Sequence, residues 1–316
     1  MVYIIQFPHP GLQHTLNPTE RRNNIKDWNT DAHKRKFLIA EGQYVLCDDT
    51  LSDRQKLLFW GEWEPMSFIV RKYKQRPLFP NYLHSPFLNV DKSGKVVHTI
   101  YGAKRIANPS SCGGAKVCSS FQNTDPFVFG ESFFYSCCRQ PHSVKLRNLS
   151  PGDIILFGSA ILSQKNGGPF FVLDTVFVVG DSRDYTPGTY AADLSGFIPK
   201  YYDQIMGYNT WSDKTQQYRC YKGASLNQPV NGMFSFVPCQ TEESIHNGFS
   251  RVKLTTSDIN EITNGLSRTH KISNSNPTNN KAAWDKICEI VRNQGCQLGL
   301  NFEYAIQIPP LKINSL

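Results

Sequence analysis

The chain of 316 residues is long enough to bury a sizeable core, and 40% of its residues are hydrophobic. No apolar run approaches the roughly 20 residues that a membrane-spanning helix needs, and the N-terminus lacks the basic start of a signal peptide, so we expect a cytoplasmic protein without a membrane partner. The net charge of +8, from 34 Lys and Arg against 26 Asp and Glu, favours polyanionic partners.

The N-terminal part of the chain begins with a predicted strand that ends at Pro8 and Pro10. Two later apolar runs, residues 37–40 and 44–47, flank the segment Glu41-Gly42-Gln43. Because glycine is frequent in turns, we predict that these runs form a hairpin that reverses at Gly42.

Basic residues are clustered in this same part of the chain, with aromatic residues between the clusters. Such clusters predict contacts with the phosphates of DNA or RNA, and binding that weakens with salt. The candidate nucleic-acid contacts are Lys34, Arg35, Lys36, Arg71, Lys72, Lys74 and Arg76. The alternative is that these side chains pair with acidic residues on the protein's own surface, where each pair contributes only about 0–1 kcal/mol.

The segment from Lys56 to Pro65 contains two tryptophans and two glutamates. As a strand, it places Trp60, Glu62 and Glu64 on one face, with Trp63 on the other. Carboxylates beside a tryptophan are costly to bury, so we expect this face to be wet or to line a pocket. Adjacent carboxylates also shift each other's pKa, as acid/base pairs require. The alternative is that both glutamates pair with the basic cluster that follows.

A turn at Asn123-Thr124-Asp125-Pro126 leads into an aromatic-rich run that ends at Tyr135. Some of these rings belong in a core, and others are candidates for stacking on a nucleic-acid base. Asp125 is the carboxylate that the turn presents, and Phe127 is the first ring after it.

Two apolar, β-branched runs, residues 149–159 and 170–180, predict antiparallel strands joined by a Gly-rich loop. Pro151-Gly152 makes a sharp entry, and Asp153 can accept backbone N–H bonds there. This hairpin is either a plain structural element or the wall of a small barrel that presents a ligand pocket. Further along, the pattern of Trp284, Ile287, Cys288 and Val291 predicts a helix over about residues 281–295.

Sequence motifs for bound cofactors are absent: the chain has no phosphate-binding glycine loop, no dinucleotide fingerprint, no nucleophile elbow and no zinc-protease motif. Its nine cysteines show no repeated C-x-x-C spacing and no downstream histidine pair. We therefore expect no cofactor and no metal, and reduced thiols that pack as small hydrophobes.

The run Pro151-Gly152-Asp153-Ile154-Ile155-Leu156-Phe157, followed by the strand around Asp174, resembles the core of PUA-like barrels of the ASCH and EVE group. When residues 59–65 and 123–130 are considered with this motif, the pattern is also similar to that of nucleotide-modification-associated proteins of bacteria and phages. The first resemblance implies binding of nucleic acid or modified bases. The second implies an activity on unusual bases in DNA, as in defence against phage.

These observations together predict an α+β fold: one β-rich composite domain over residues 1–316, built around a small PUA-like barrel with a C-terminal helix. The barrel core is expected at about residues 121–250, and the basic part at residues 1–120.

The first functional hypothesis is a DNA N-glycosylase that excises a modified base. Cleavage of an N-glycosidic bond needs a carboxylate beside an oxocarbenium-like transition state and a pocket for a flipped base, but no cofactor. The candidate catalytic carboxylates are Asp125, Glu62, Glu64 and Asp174, and the candidate stacking residues are Trp60, Trp63 and Phe127. Asp174 also fits a structural role, because it lies in an apolar run. The alternatives are a non-catalytic reader of modified nucleic acid and a base-modifying transferase.

Overall fold

The computed structural model describes residues 2–8, 35–63, 65, 67–72, 82–93, 124–162, 168–206, 215–244, 250–267 and 269–309. These residues form a β-rich structure of two sheets with a C-terminal helix. Among the helices in these ranges, none has both the length and the apolar composition needed to cross a membrane.

The first sheet is mainly antiparallel, with one parallel pair between β1 (Val2–Pro8) and β7 (Ile154–Ile161). Its strands are, in spatial order, β12 (Lys271–Ser275), β1 (Val2–Pro8), β7 (Ile154–Ile161), β8 (Phe170–Tyr185), β9 (Tyr218–Gly223) and β6 (Phe134–Tyr135), with β11 (Val252–Thr255) paired to β8. Ile155 and Phe157 of β7 pack into one hydrophobic cluster, and Ile154 and Leu156 pack into another. The central strands are therefore covered on both faces.

The second sheet contains a small closed antiparallel barrel of four strands. Its strands are β13 (Gln297–Leu300), β10 (Val237–Thr241), β3 (Gln55–Glu62), β2 (Arg35–Val45), β5 (Tyr82–Asn89) and β14 (Ile306–Ile308), with β4 (Ser67–Lys72) paired to β5. The barrel closes because β2 pairs with β3, β3 with β10, β10 with β13, and β13 with β2 again.

Side chains fill the barrel interior, where the rings of Phe59 and Phe302 lie 4.3 Å apart between their centroids. A Cβ atom at Gly299 would come within 2.6 Å of Cys239 Sγ, and one at Gly42 within 3.0 Å of Phe302. Glycine is needed at position 299, and a methyl group at position 42 would require the Phe302 and Leu57 side chains to shift. The predicted turn at Gly42 is wrong, because β2 continues as one strand from Arg35 to Val45.

The barrel is not where the sequence placed it. The hairpin of β7 and β8 exists and is antiparallel, but it belongs to the first sheet. Of the four barrel strands, only β10 lies within residues 121–250. The prediction that this hairpin forms the barrel wall is wrong, because its strands pair with β1 and β9 instead of closing on themselves.

The α-helices within the described ranges are α1 (Tyr190–Asp193), α2 (Lys200–Met206), α3 (Thr256–Thr263) and α4 (Pro277–Asn293). In α4, the four apolar residues that predicted the helix are all buried. The helix begins before residue 281, because the Asn276 side chain caps it by accepting from the Asn279 N–H and Pro277 fits the first turn.

Asp153 holds the entry to β7, as the sequence predicts. Its buried carboxylate accepts the Tyr3 N–H at 2.6 Å and the Ser150 N–H at 2.7 Å, and Gly152 adopts a φ of 88°. Removal from water raises the pKa of Asp153 to about 6, although these N–H groups oppose the shift.

We expect Asp153 to make the protein less stable as the pH rises from about 4 to about 6. In that window the folded state holds a proton that the unfolded state releases, so the free energy of unfolding falls, by at most about 3 kcal/mol. Urea unfolding at pH 4 and pH 7 measures this slope. Asp153→Asn should flatten it, whereas the exposed control Asp181→Asn should not. Equal slopes for wild type and Asp153→Asn would contradict the assignment.

Candidate active site

Asp125 is fully buried, and its carboxylate is anchored by the loop that follows β6. Oδ1 accepts the N–H of Ser136 at 3.0 Å, and Oδ2 accepts those of Cys137 at 2.9 Å and Cys138 at 3.0 Å. Burial raises the pKa of Asp125, and the three N–H bonds act in the opposite direction. The predicted turn thus places this carboxylate inside the protein, in a fixed orientation.

Glu62 joins Asp125 from the end of β3. Its Oε1 lies 3.5 Å from the Asp125 backbone nitrogen, and only 6% of the residue is exposed. The structure therefore brings the Glu62 carboxylate against the backbone of Asp125, although the two residues lie 63 positions apart in the sequence.

Lys36 is also buried at this end of the barrel, where β2 pairs with the end of β3. Its ammonium group donates to the backbone carbonyls of Trp63 and, at 3.4 Å, Pro65. An ammonium enclosed in this way does not reach a phosphate on the surface. We therefore remove Lys36 from the predicted nucleic-acid contacts and assign it to the site itself.

A second pair of buried polar side chains lies on β4 and β5. His84 Nδ1 lies 3.0 Å from Ser67 Oγ, and the pairing of β2 with β5 sets His84 beside Leu38. Sequence reasoning missed both residues. The available signal was weak, because a single histidine in an apolar strand more often satisfies a core hydrogen bond than carries out chemistry.

We use the name polar cluster for six buried polar residues, within which Glu62 contacts the Asp125 N–H and Ser67 contacts His84: Lys36, Glu62, Ser67, His84, Thr124 and Asp125. Several ionisable groups removed from water together weaken a fold unless each has a partner. A protein core whose only task was packing could fill these positions with apolar residues. Such a concentration is typical of a functional site.

The three predicted stacking residues are core residues in this structure. Trp63 and Phe127 each pack on Phe129, with ring centroids 5.2 and 5.5 Å away, and neither ring is exposed. Trp60 is 1% exposed and lies under the Arg251 guanidinium at 4.8 Å. None of these rings offers an open face to a base, so we withdraw the prediction that they stack on one.

Asp174 lies in a separate buried ion pair. Its Oδ1 accepts from Arg251 Nε at 3.0 Å, and both side chains are at most 3% exposed. This pair contacts Trp60 and Ser159 and stabilises the packing between β8 and β11. The catalytic prediction for Asp174 is therefore replaced by the structural role, which its apolar neighbours already indicated.

Arg71 is exposed but already paired. Its guanidinium lies 2.6 Å from Glu242 Oε1, and Lys56 approaches the same carboxylate at 3.7 Å. The self-pairing alternative thus holds for Arg71, with a different partner from those predicted. Lys34, Glu64, Lys74 and Arg76 lie outside the described residues, as do the side chains of Arg35 and Lys72, and the predictions for them stand.

The geometry of the polar cluster is the basis for a functional assignment. Comparisons of the chain with protein families, with curated proteins and with solved structures find no match.

Proposed function

We propose that the protein is an enzyme that acts on a modified base in DNA, as an N-glycosylase. The observation that carries the proposal is the contact between the buried Glu62 carboxylate and the backbone N–H of the buried Asp125. Loss of a base creates positive charge on the sugar, and a carboxylate in a dry site stabilises that charge more strongly than one in water.

The two carboxylates fit different tasks in this reaction. Asp125 is fixed by three N–H groups, so its carboxyl group keeps one orientation and moves little. Glu62, at the end of a strand, is suited to take a proton from the attacking water. The Lys36 ammonium fixes the chain at Trp63 and Pro65, directly after Glu62, and so positions that carboxylate.

The small closed barrel supports a nucleic-acid partner, because its size is compatible with the PUA-like resemblance. Its interior is filled by Phe59 and Phe302, so the proposed ligand lies at the strand ends near Glu62 and not inside the barrel. The net charge of +8 favours DNA as the polyanion.

A non-catalytic reader of modified DNA is the second candidate. It is favoured by the three N–H bonds to Asp125, because this arrangement stabilises a loop whether or not the carboxylate takes part in chemistry. In a reader, the polar cluster would recognise the base and leave it attached to its sugar.

The test is an abasic-site assay on matched duplexes that carry ordinary or hypermodified bases. We expect the protein to release a modified base and to leave alkali-labile sites. Binding to the same duplexes across a salt series is the control, and affinity should fall steeply as salt rises. Binding without base release on any duplex would favour the reader. If the protein neither released a base from any duplex nor bound any duplex, the proposal of a DNA partner would be wrong.

A further inference from the structure

Asp125 faces two adjacent cysteines in the loop after β6. A carboxylate oxygen of Asp125 and the Sγ atoms of Cys137 and Cys138 all lie within 4.8 Å of one another. Asp125 and Cys137 are buried, and Cys138 is partly buried. Carboxylate oxygen and thiolate sulfur are both ligands of zinc, at about 2.0–2.3 Å from the ion. Three such atoms at this spacing can contact one ion if the distances between them shorten slightly.

The loop that bears the thiols is held on several sides. The Tyr185 hydroxyl donates to the Ser136 carbonyl at 3.3 Å, and the Tyr202 hydroxyl donates to Ser136 Oγ at 2.8 Å. The Tyr135 hydroxyl donates to the Cys138 carbonyl at 2.7 Å. Metal sites depend on such surrounding hydrogen bonds, because these bonds orient the ligands before the ion arrives.

The acceptor capacity of Asp125 leaves room for one more partner. A carboxylate offers about four lone-pair directions, and backbone N–H groups occupy three of them. The Sγ atoms of Cys137 and Cys138 lie within 4.8 Å of a carboxylate oxygen of Asp125, so a cation between these three atoms could take the remaining acceptor position.

We propose that Asp125, Cys137 and Cys138 bind a thiophilic divalent cation of the zinc class. Two thiols lose their protons to solvent as the ion binds, and no electron transfer is involved. Three protein ligands leave a fourth position on a tetrahedral ion, as in catalytic zinc sites. The inference goes beyond the proposed function: Asp125 becomes a ligand, and Glu62 remains the carboxylate for the hydrolytic step.

Sequence spacing did not indicate this site. The ligands are an adjacent Cys-Cys pair and an aspartate 12 positions before Cys137, which matches no recurring zinc motif. The ligand set depends on the turn at Asp125 folding back against the loop after β6. We expected no metal because of the cysteine and histidine spacing, and we now propose a metal site instead.

The test measures metal binding by the full chain in the absence of DNA. After equilibration with Zn²⁺ and removal of excess ion, we expect about one zinc per chain by elemental analysis. Co²⁺ should give thiolate charge-transfer absorption. Cys137→Ser and Cys138→Ser should each weaken binding by at least about tenfold. Cys288→Ser removes an equally buried thiol on α4 and should bind as wild type does.

A second measurement uses the wild-type protein, so it stands even if a variant fails to fold. Zn²⁺ should slow alkylation of Cys137 and Cys138, read by mass spectrometry, and leave the rate at exposed Cys47 unchanged. Absence of stoichiometric zinc, or unchanged alkylation at both cysteines, would overturn the metal site. Because neither readout uses DNA, failure here is distinguishable from failure of the glycosylase proposal.

Discussion

Arg251→Met is expected to lower the free energy of unfolding by about 3–5 kcal/mol. The substitution leaves the Asp174 carboxylate buried without its cation, and both side chains are at most 3% exposed. It also removes the guanidinium from the face of Trp60. Urea unfolding of wild type and variant measures the change.

The matched control is Arg54→Met, which breaks the exposed pair with Glu303 and should cost only about 0–1 kcal/mol. A double variant, Arg251→Met with Asp174→Leu, should recover much of the loss, because no charge then remains buried. A loss at Arg251 no larger than at Arg54 would show that the buried pair does not stabilise the fold.

Glu62→Gln is expected to reduce the rate of base release by about 10²–10⁴-fold. The glutamine oxygen can still accept the Asp125 N–H, so the local geometry is kept while the charge and the proton acceptor are lost. DNA affinity and thermal stability should change little. Single-turnover base release, with binding and melting measured in parallel, checks all three quantities.

Glu303→Gln is the control for this experiment, because it removes an exposed carboxylate outside the polar cluster and should leave the rate unchanged. Asp125→Asn is less informative, since an amide nitrogen would face backbone N–H donors and weaken the loop. A Glu62→Gln enzyme with wild-type turnover would remove Glu62 from the reaction.

Some features of the site were open to prediction because they depend on a few neighbouring residues. Asp125 was identified from its turn, and Glu62 from its place beside the tryptophans. Their adjacency was not predictable, because it depends on a contact across 63 positions. His84 and Ser67 were missed for the same reason: both are buried where β5 pairs with β2 and β4, and no local pattern marks that burial.

The role of the basic residues shows a similar division. Their clustering was correctly read as a local excess of charge, but clustering does not tell which side chains face solvent. Side chains on a strand point alternately to its two faces, and that of Lys36 points inward, where its ammonium group donates to two carbonyls. Arg71 turns outward and meets Glu242, which lies 171 positions away.

The sequence by itself determined the features that follow from local geometry: the strands of the β7–β8 hairpin, the apolar face of α4 and the backbone bonds of Asp153. Side-chain period and turn chemistry act over a few residues, so they are visible in one chain. Only the tertiary structure decided that β2 runs through Gly42, that β13 closes the barrel, and that Asp125 meets Glu62 and two thiols. These outcomes depend on which distant segments bury each other's surface, and a local pattern leaves that choice open.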